Sequence, residues 1–260
     1  MTFGLGRTLP RVELHPLAQS FAGVADAYER GRPDYPPAVV GALAAELQIP
    51  PAAPVLDLGA GTGKLTQALA AAGFDVVAVE PQEPLREVLA AKVGAERVKE
   101  GTAEAIPLPD DSVAAVTVAD AFHWFDQATA LNEIRRVLRP GGGLAILFNV
   151  PDWNEASWAE EVGSLLTERR PEHPGFDGRP WREAVREAPG WTEPREVRVT
   201  TNQPASTERL LDFVASTSWV AAMSDTERSE VLARIEDIVR QSEMPAEMPV
   251  QVIIGLSAKA

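Results

Sequence analysis

Cysteine is absent from this chain of 260 residues, and histidine occurs only three times, at His15, His123 and His173. The absence of cysteine excludes disulfides, thiolate metal sites and a cysteine nucleophile. No two of the histidines have the spacing of a His-x-x-His metal site, so we expect no bound metal.

Basic residues are also scarce. The chain has 24 Lys and Arg against 38 Asp and Glu, which gives a formal net charge of −14. Such an excess of carboxylates repels the phosphates of nucleic acids and of anionic lipids. The sequence has no apolar run of roughly 18 residues and no signal-like apolar segment near its start. We therefore expect a soluble, cytoplasmic protein without a nucleic-acid or membrane partner.

From residue 54 onward, short apolar segments alternate with helical patterns. The predicted strands are VLDL (55–58), FDVVAVE (74–80), ERVKEG (96–101), SVAAVTVAD (112–120) and LAILFNV (144–150). Alternation of strands and helices predicts βαβ units, a parallel sheet and right-handed crossovers. Outside this region, SFAGVADAYER (20–30) predicts a helix, and REVRVTT (195–201) and VQVIIGLSA (250–258) predict two more strands.

The most specific signal is VLDLGAGTGK (55–64), in which a strand runs into a glycine-rich turn and then a helix. Its three glycines let the backbone turn tightly and approach a ligand, and the helix start offers free N–H groups. A P-loop is excluded, because Leu65 follows Lys64 and Leu58 replaces the first glycine. A dinucleotide-binding turn is disfavoured, because Lys64 stands where its third glycine is required.

The pattern Asp57-x-Gly59-x-Gly61-x-Gly63 resembles motif I of the class I S-adenosylmethionine-dependent methyltransferases. Later segments resemble that family in the same order, over roughly residues 20–150. These segments are Glu80 at the end of the second strand, EGTAEAIPLPDDS (100–112), AVTVADAFHWFD (115–126) and LRPGGGLAIL (138–147).

The segments YERGRPDYP (28–36) and FHWFD (122–126) narrow the resemblance. Together they are similar to the methyltransferase type 11 subgroup, which includes trans-aconitate methyltransferase-like enzymes. The resemblance implies an α/β fold, a Rossmann-like doubly wound, mostly parallel seven-stranded sheet with a helical cap. It divides the chain into amino-terminal lead-in and cofactor-covering helices, a cofactor-binding core, and a cap with the last two strands. The boundaries are 1–53, 54–150 and 151–260.

The resemblance also implies S-adenosylmethionine as the cofactor. Glu80 would accept its ribose hydroxyls, and Tyr28 and Arg32 would lie near its carboxylate. Thr102 stands where many members have an aspartate that contacts adenine, so Glu104 or a backbone carbonyl can take over that contact. The implied cofactor-binding residues are Tyr28, Arg32, Asp57, Gly59, Ala60, Gly61, Gly63, Glu80, Pro81, Thr102, Ala103, Glu104 and Asp120.

His123 follows the fourth predicted strand, where ligands meet in open α/β sheets. It is our candidate catalytic residue, as a base for a hydroxyl acceptor. The alternative is that His123 and Trp124 wall the cofactor without taking part in proton transfer. We interpret His15 and His173 as plain surface residues, because they lie in loop-like segments.

All six tryptophans follow residue 123. Trp219 is expected in the core of the cap, whereas Trp153 and Trp158 fit either that core or a substrate pocket. The cap therefore favours a small acceptor that is apolar or aromatic.

The expected reaction is O-methylation of a hydroxyl or carboxylate on a small molecule. One alternative is a catalytically silent protein that binds S-adenosylmethionine or a nucleoside. A second is an NAD-dependent oxidoreductase, which Lys64 disfavours. The sequence leaves the identity of the acceptor and the oligomeric state open.

Overall fold

The computed structural model describes residues 14–152, 156 and 158–260. A seven-stranded sheet runs through it in the order β3-β2-β1-β4-β5-β7-β6. The strands are β1 (Pro54–Leu58), β2 (Asp75–Val79), β3 (Val98–Lys99), β4 (Val113–Ala119), β5 (Leu138–Pro151), β6 (Arg195–Pro204) and β7 (Glu247–Ala258).

The first five strands are parallel to one another, and β7 is antiparallel to both β5 and β6. In the register of the central strands, Leu56 lies between Val77 and Val116. The strand order reverses at β1, which has β2 on one side and β4 on the other. Ligands of open α/β sheets bind beyond the carboxyl ends of the strands at such a point. The predicted fold class is confirmed.

Helices connect and cover these strands. They are α1 (Pro16–Gln19), α2 (Ala25–Gly31), α3 (Pro37–Glu46), α4 (Lys64–Ala71), α5 (Glu83–Val93), α6 (Gln127–Val137), α7 (Ala159–Glu168), α8 (Pro174–Asp177), α9 (Trp181–Glu187), α10 (Thr207–Ala215), α11 (Ser218–Ala221) and α12 (Asp225–Arg240). Short 3-10 turns occur at Ser20–Val24, Ala95–Arg97 and Phe122–Trp124. In the described part of the chain, no helix is both long and apolar enough to cross a bilayer.

The two faces of the sheet are buried by different helices. One face packs against α3 and α4, through residues such as Leu43 and Leu69. The other packs against α6 and α9, through residues such as Ile134 and Val185. Because both faces are covered, the central strands β1 and β4 are apolar except at Asp57 and Thr117, as expected for buried parallel strands.

A third apolar core lies outside the sheet, in the helical cap. Helices α7, α10, α11 and α12 surround Trp158, Val162, Val214 and Ile235, all of which are almost completely buried. Trp158 is therefore a core residue of the cap. Trp153 lies outside the described residues.

Three predicted elements have different bounds in the structure. The helix expected over 20–30 is divided, because Val24 leaves the helical conformation at φ −131° and separates a 3-10 turn from α2. The third strand shortens to two residues, because a 3-10 turn occupies its expected start. The fifth strand begins at Leu138, which pairs with Val113 before a register shift in the glycine run.

Candidate functional site

A cavity of about 960 Å³ opens at the carboxyl ends of β1, β2 and β4. Small-molecule sites generally have volumes of about 300–1,000 Å³, so this one has room for a cofactor and an acceptor together. His123 lines it, together with ten of the predicted cofactor residues: Tyr28, Arg32, Gly59, Gly61, Glu80, Pro81, Thr102, Ala103, Glu104 and Asp120. The other three predicted residues, Asp57, Ala60 and Gly63, do not line it.

The glycine turn leaves one side of this cavity open. Gly59 and Gly61 have φ values of 68° and 57°, in the left-handed region that favours glycine. A Cβ at Gly59 would lie 2.9 Å from the Cβ of Ala121, so only glycine fits there. A Cβ at Gly61 would meet nothing nearer than Tyr28, at 3.9 Å. The backbone at Gly61 is therefore exposed to whatever the cavity holds.

Glu80 is the buried carboxylate nearest to this turn, with a relative exposure of 4%. Its Oε2 accepts the Gly61 N–H at 2.9 Å, and its Oε1 accepts the Gln82 N–H at 3.0 Å. Burial raises the pKa of Glu80 to about 7, and the two backbone N–H groups lower it in part. Each oxygen of the carboxylate retains a further lone pair for a ligand.

Asp57 contacts neighbouring strands and helices instead of the cavity. Its carboxylate accepts hydrogen bonds from Thr66 Oγ1 at 2.6 Å and from Thr117 Oγ1 at 3.1 Å. Burial raises its pKa to about 6, although the threonine hydroxyls lower it in part. Asp57 thus joins β1 to α4 and β4, and it reaches only a side recess of about 20 Å³.

Asp120 follows β4 in a conformation that is rare for a residue with a side chain. Its φ is 49°, a left-handed value of the kind that collects at functional sites. Its Oδ1 accepts the Asn149 N–H at 3.2 Å, and its Oδ2 accepts the Tyr35 hydroxyl at 3.3 Å. Burial is the main reason that the pKa of Asp120 is raised.

Thr102 and Glu104 lie where the sequence predicts the adenine end of a cofactor. The Thr102 Oγ1 atom is buried and has no hydrogen-bond partner among the residues that the structure describes. Glu104 Oε1 accepts the Asp126 N–H at 2.9 Å and so holds the loop that follows β4. Of these two side chains, Thr102 is therefore the one whose polar atom, Oγ1, still needs a partner. Together, Gly59, Gly61, Glu80, Thr102 and Asp120 form what we call the strand-end wall.

Tyr28 and Arg32 come from the amino-terminal helices and connect the strand-end wall to the cap. Arg32 donates from Nε to Ser216 Oγ at 3.0 Å and from Nη2 to the Ser216 carbonyl at 2.8 Å. Its guanidinium lies 5.1 Å from the ring centre of Tyr28 and 5.0 Å from that of Phe213. Burial raises the pKa of Tyr28 to about 12, so its hydroxyl stays protonated.

His123 lines the cavity from the 3-10 turn that follows β4. Its ring centre is 4.6 Å from that of Trp124 and 5.6 Å from that of His173. Burial lowers its pKa to about 3, with smaller contributions from His173 and Arg32. His123 is therefore uncharged at neutral pH, and its ring nitrogens are weak bases.

The prediction that His15 and His173 are plain surface residues is wrong for His173, whereas His15 is half-buried. His173 has a relative exposure of 4%, and both residues line the cavity. His173 Nδ1 accepts the Gly175 N–H at 3.0 Å, and its Nε2 lies 3.0 Å from Ser218 Oγ. His15 caps α1, with its Nδ1 accepting the Leu17 N–H at 3.2 Å. Both histidines cap helices of only four residues, which are too short to give a periodic pattern in the sequence.

Aromatic rings line the side of the cavity that faces the cap. Trp124 is 4.9 Å from His173, and His173 is 5.5 Å from Trp219, measured between ring centres. Trp219 packs against the cap core as expected, but it also lines the cavity. We call this set the ring wall; it consists of His15, Phe21, His123, Trp124, His173, Phe176 and Trp219.

Comparison with known proteins gives the family. Residues 56–146 match a family model described as a methyltransferase domain. The chain is 40% identical to an uncharacterized methyltransferase of Mycobacterium tuberculosis over 224 residues, which is 86% of each protein. It is 34% identical to one of Schizosaccharomyces pombe over 216 residues, or 82% of this chain and 84% of the relative. The chain belongs to the class I S-adenosylmethionine-dependent methyltransferases.

A solved structure agrees with this assignment. A protein of Anaeromyxobacter dehalogenans, provisionally classed as a type II methyltransferase, aligns with a TM-score of 0.59 and 26% identity. The alignment covers 87% of this methyltransferase and 96% of that chain. These relatives have no substrate in their names, so the trans-aconitate-like subgroup stays a prediction.

The cap of this methyltransferase contributes cavity residues that no sequence motif marks. Ser218, Phe176 and Thr167 line the cavity, although none of them belongs to a recognisable motif. The segments that carry them lie far from the glycine turn in the sequence, so only the folded chain brings them to it. Outside residues 1–13, 153–155 and 157, no group of three or more His, Asp or Glu side chains is arranged to hold a metal ion.

Proposed function

We propose that this methyltransferase binds S-adenosylmethionine along its strand-end wall and methylates an oxygen of a small acceptor at the ring wall. The acceptor is apolar or aromatic, with a hydroxyl or carboxylate as the methylated group. One observation carries the proposal. Residues from several distant segments, selected by resemblance to the family, line a single cavity at the carboxyl edge of the sheet.

The polar groups of the strand-end wall fit this cofactor. Glu80 retains lone pairs that suit the two hydroxyls of a ribose, and a carboxylate accepts both in a bidentate manner. The unpartnered Thr102 Oγ1 suits a nitrogen of adenine. The open backbone at Gly61 leaves space for the amino-acid part, which a side chain there would fill.

Charged groups nearby suit the rest of the molecule. Arg32 uses Nε and Nη2 on Ser216, and its positive charge at the cavity suits a carboxylate. Asp120 also lines the cavity and suits an amino group or a positive sulfur. The faces of Tyr28 and Phe21 are apolar surfaces that exclude water from the reacting centre.

The bound cofactor supplies a methyl group on positively charged sulfur, already activated toward an oxygen nucleophile. The protein then has to place the acceptor oxygen in line with that methyl group and exclude water. His123 accepts a hydrogen bond from the acceptor hydroxyl and orients it. With a pKa of about 3 it is too weak a base to remove the proton beforehand, so the proton passes from the oxygen to His123 only as the new C–O bond forms and makes that oxygen strongly acidic. A carboxylate acceptor needs no base.

We further propose that the three predicted parts of the chain divide this work. Residues 54–150 supply the strand-end wall, residues 1–53 cover the cofactor, and residues 151–260 select the acceptor. Hydrogen bonds between the parts support this division. Ser20 Oγ donates to the Ser218 carbonyl at 3.0 Å, and Gln82 Nε2 donates to the Ala18 carbonyl at 3.0 Å.

The proposal is tested by calorimetric titration of the purified protein with S-adenosylmethionine, S-adenosylhomocysteine and NADH. We expect micromolar binding of the first two ligands and no binding of NADH. Binding of NADH alone would support the oxidoreductase alternative. Binding of the first two without methyl transfer to any acceptor in a broad screen of hydroxyls and carboxylic acids would support the silent binding protein.

A further inference from the structure

The charges around the cavity disfavour an acidic acceptor. Among the described residues that line it, two are arginines, none is a lysine and five are acidic: Glu80, Glu104, Asp120, Asp126 and Glu196. Arg32 is held by Ser216, and Arg179 is paired with Glu187. A polycarboxylate would meet an excess of negative charge in a site of low dielectric, where like charges repel strongly.

One hydroxyl in the ring wall region retains an unused proton. His173 Nδ1 accepts the Gly175 N–H, so Nδ1 has no proton of its own. A neutral imidazole then has its proton on Nε2, and Nε2 lies 3.0 Å from Ser218 Oγ. His173 therefore donates to Ser218, and Ser218 cannot donate back. Burial lowers the pKa of His173, which keeps the ring in this neutral form.

Ser218 has no acceptor for that proton among the residues that the structure describes. Its side chain is almost completely buried, yet it lines the cavity beside the ring of Trp219. The other hydroxyls on this side are already used. Thr217 Oγ1 donates to the Val214 carbonyl at 2.7 Å, and Thr167 Oγ1 donates to the Gly163 carbonyl at 2.8 Å. A buried donor without an acceptor is costly, so Ser218 requires one from a ligand.

We propose that Ser218 is a specificity-determining residue, whose Oγ–H donates to an oxygen of an uncharged aromatic acceptor held against the ring wall. This inference rests on the proposed function and names the substrate class within it. The rings of Trp124, Phe176 and Trp219 supply the apolar surface, to which a planar ring packs favourably. His173 positions the Ser218 hydroxyl through the Nε2 hydrogen bond.

The test measures binding of 2-naphthol, 2-naphthoate and tricarballylate by calorimetry, with and without saturating S-adenosylhomocysteine. We expect 2-naphthol to bind and both carboxylates to bind at least about tenfold more weakly. Ser218→Ala should lower the affinity for 2-naphthol about five- to tenfold, the effect of one hydrogen bond, and leave the affinity for S-adenosylhomocysteine unchanged. Equal or tighter binding of either carboxylate, or full 2-naphthol affinity in Ser218→Ala, overturns the inference.

The matched control is Ser229→Ala, the same change at an exposed position of α12 that does not line the cavity, and it should change neither affinity. If Ser218→Ala does not fold, Ser218→Cys replaces it. The thiol still accepts weakly from His173 but donates poorly, so the same loss is expected. Wild-type protein that fails to bind S-adenosylhomocysteine contradicts the proposed function. Protein that binds it but not 2-naphthol contradicts only this inference.

Discussion

The strand-end wall and the ring wall enclose one cavity but are built in opposite ways. The strand-end wall consists of backbone N–H groups and buried carboxylates, with Glu80 holding the Gly61 N–H at 2.9 Å. The ring wall consists of aromatic side chains, with neighbouring ring centres 4.6–6.1 Å apart. Its residues come from the start of α1, the 3-10 turn Ser20–Val24, the turn after β4, the start and body of α8, and α11. One side is polar and mainly a property of the sheet, and the other is aromatic and is shared by the cap, the amino-terminal segment and the turn after β4.

This difference separates two tasks. A cofactor that is the same in every member of a family needs fixed polar partners, which strand ends and backbone groups provide. An acceptor that varies between members needs a surface that can change without disturbing the sheet. The cap has its own apolar core around Trp158 and Ile235, so its helices can present new side chains while the strand order stays intact.

Replacing Glu80 should have the largest effect on ligand affinity, and this effect should be confined to binding at the strand-end wall. Glu80→Ala removes two charge-assisted hydrogen bonds to a cofactor ribose, so we expect affinity for S-adenosylhomocysteine to fall about 100-fold or more. Affinity for 2-naphthol without cofactor should stay unchanged. Glu83→Ala, on the exposed first turn of α5, is the control and should change neither value. Equal losses for both ligands would show that the two walls are not separable.

The raised pKa of Glu80 predicts that the same binding measurement depends on pH. In the free protein it is raised to about 7, so the carboxyl group is increasingly protonated below that pH. Ribose hydroxyls donate to the charged form, and binding at low pH must therefore displace a proton. Affinity for S-adenosylhomocysteine should fall about tenfold from pH 8 to pH 6, by linkage to this one group. Glu80→Gln should remove that dependence.

Gly31 of α2 packs closely against α10 of the cap, and a larger residue at this position should disturb the cap. At the crossing of α2 and α10, a Cβ at Gly31 would lie 2.2 Å from Phe213 N and 2.4 Å from Asp212 C. These are backbone atoms that cannot rotate away. We expect Gly31→Ala to lower the free energy of unfolding in urea by about 1–3 kcal/mol and to weaken 2-naphthol binding.

Gly41→Ala is the matched control for Gly31→Ala. Gly41 lies within α3, and a Cβ there would meet nothing within 4 Å. Alanine should therefore raise the free energy of unfolding by about 0.5–1 kcal/mol, the usual gain in a helix interior. A stable Gly31→Ala variant with normal 2-naphthol binding would mean that α2 and α10 can separate without moving the ring wall.

The sequence predicts the strand-end wall better than the ring wall, for a physical reason. The glycine turn, Glu80 and the strand pattern are local features, in which spacing along the chain determines position in the sheet. Even there, Asp57 could not be placed by spacing alone, because its contacts with Thr66 and Thr117 depend on how three elements pack.

The residues of the ring wall are not marked by any local spacing in the sequence. His173 and Ser218 are 45 residues apart and meet only because α8 and α11 fold onto the same side of the cavity. A histidine in a Pro-rich segment gives no sign of burial, so its role could not be predicted. The unused proton of the Ser218 hydroxyl also could not be predicted, because it can be identified only when every hydrogen-bond partner of His173 is known.

Replacing His123 should have the smallest effect on cofactor affinity, and it tests whether this ring-wall residue contributes to binding at the strand-end wall. Because its pKa is lowered to about 3, it should not titrate between pH 5 and pH 8. The Cε1–H signal of His123 in NMR spectra, assigned with His123→Gln, should therefore stay constant over that range.

In the unfolded chain the histidine pKa is 6.5, so the folded protein loses stability as the pH falls from 6.5 toward 3. His123→Gln should reduce that acid sensitivity and leave S-adenosylhomocysteine affinity within about threefold, since a neutral side chain at this position holds no cofactor charge. A titration midpoint near 6.5 would instead place His123 in contact with water and restore it as the candidate base.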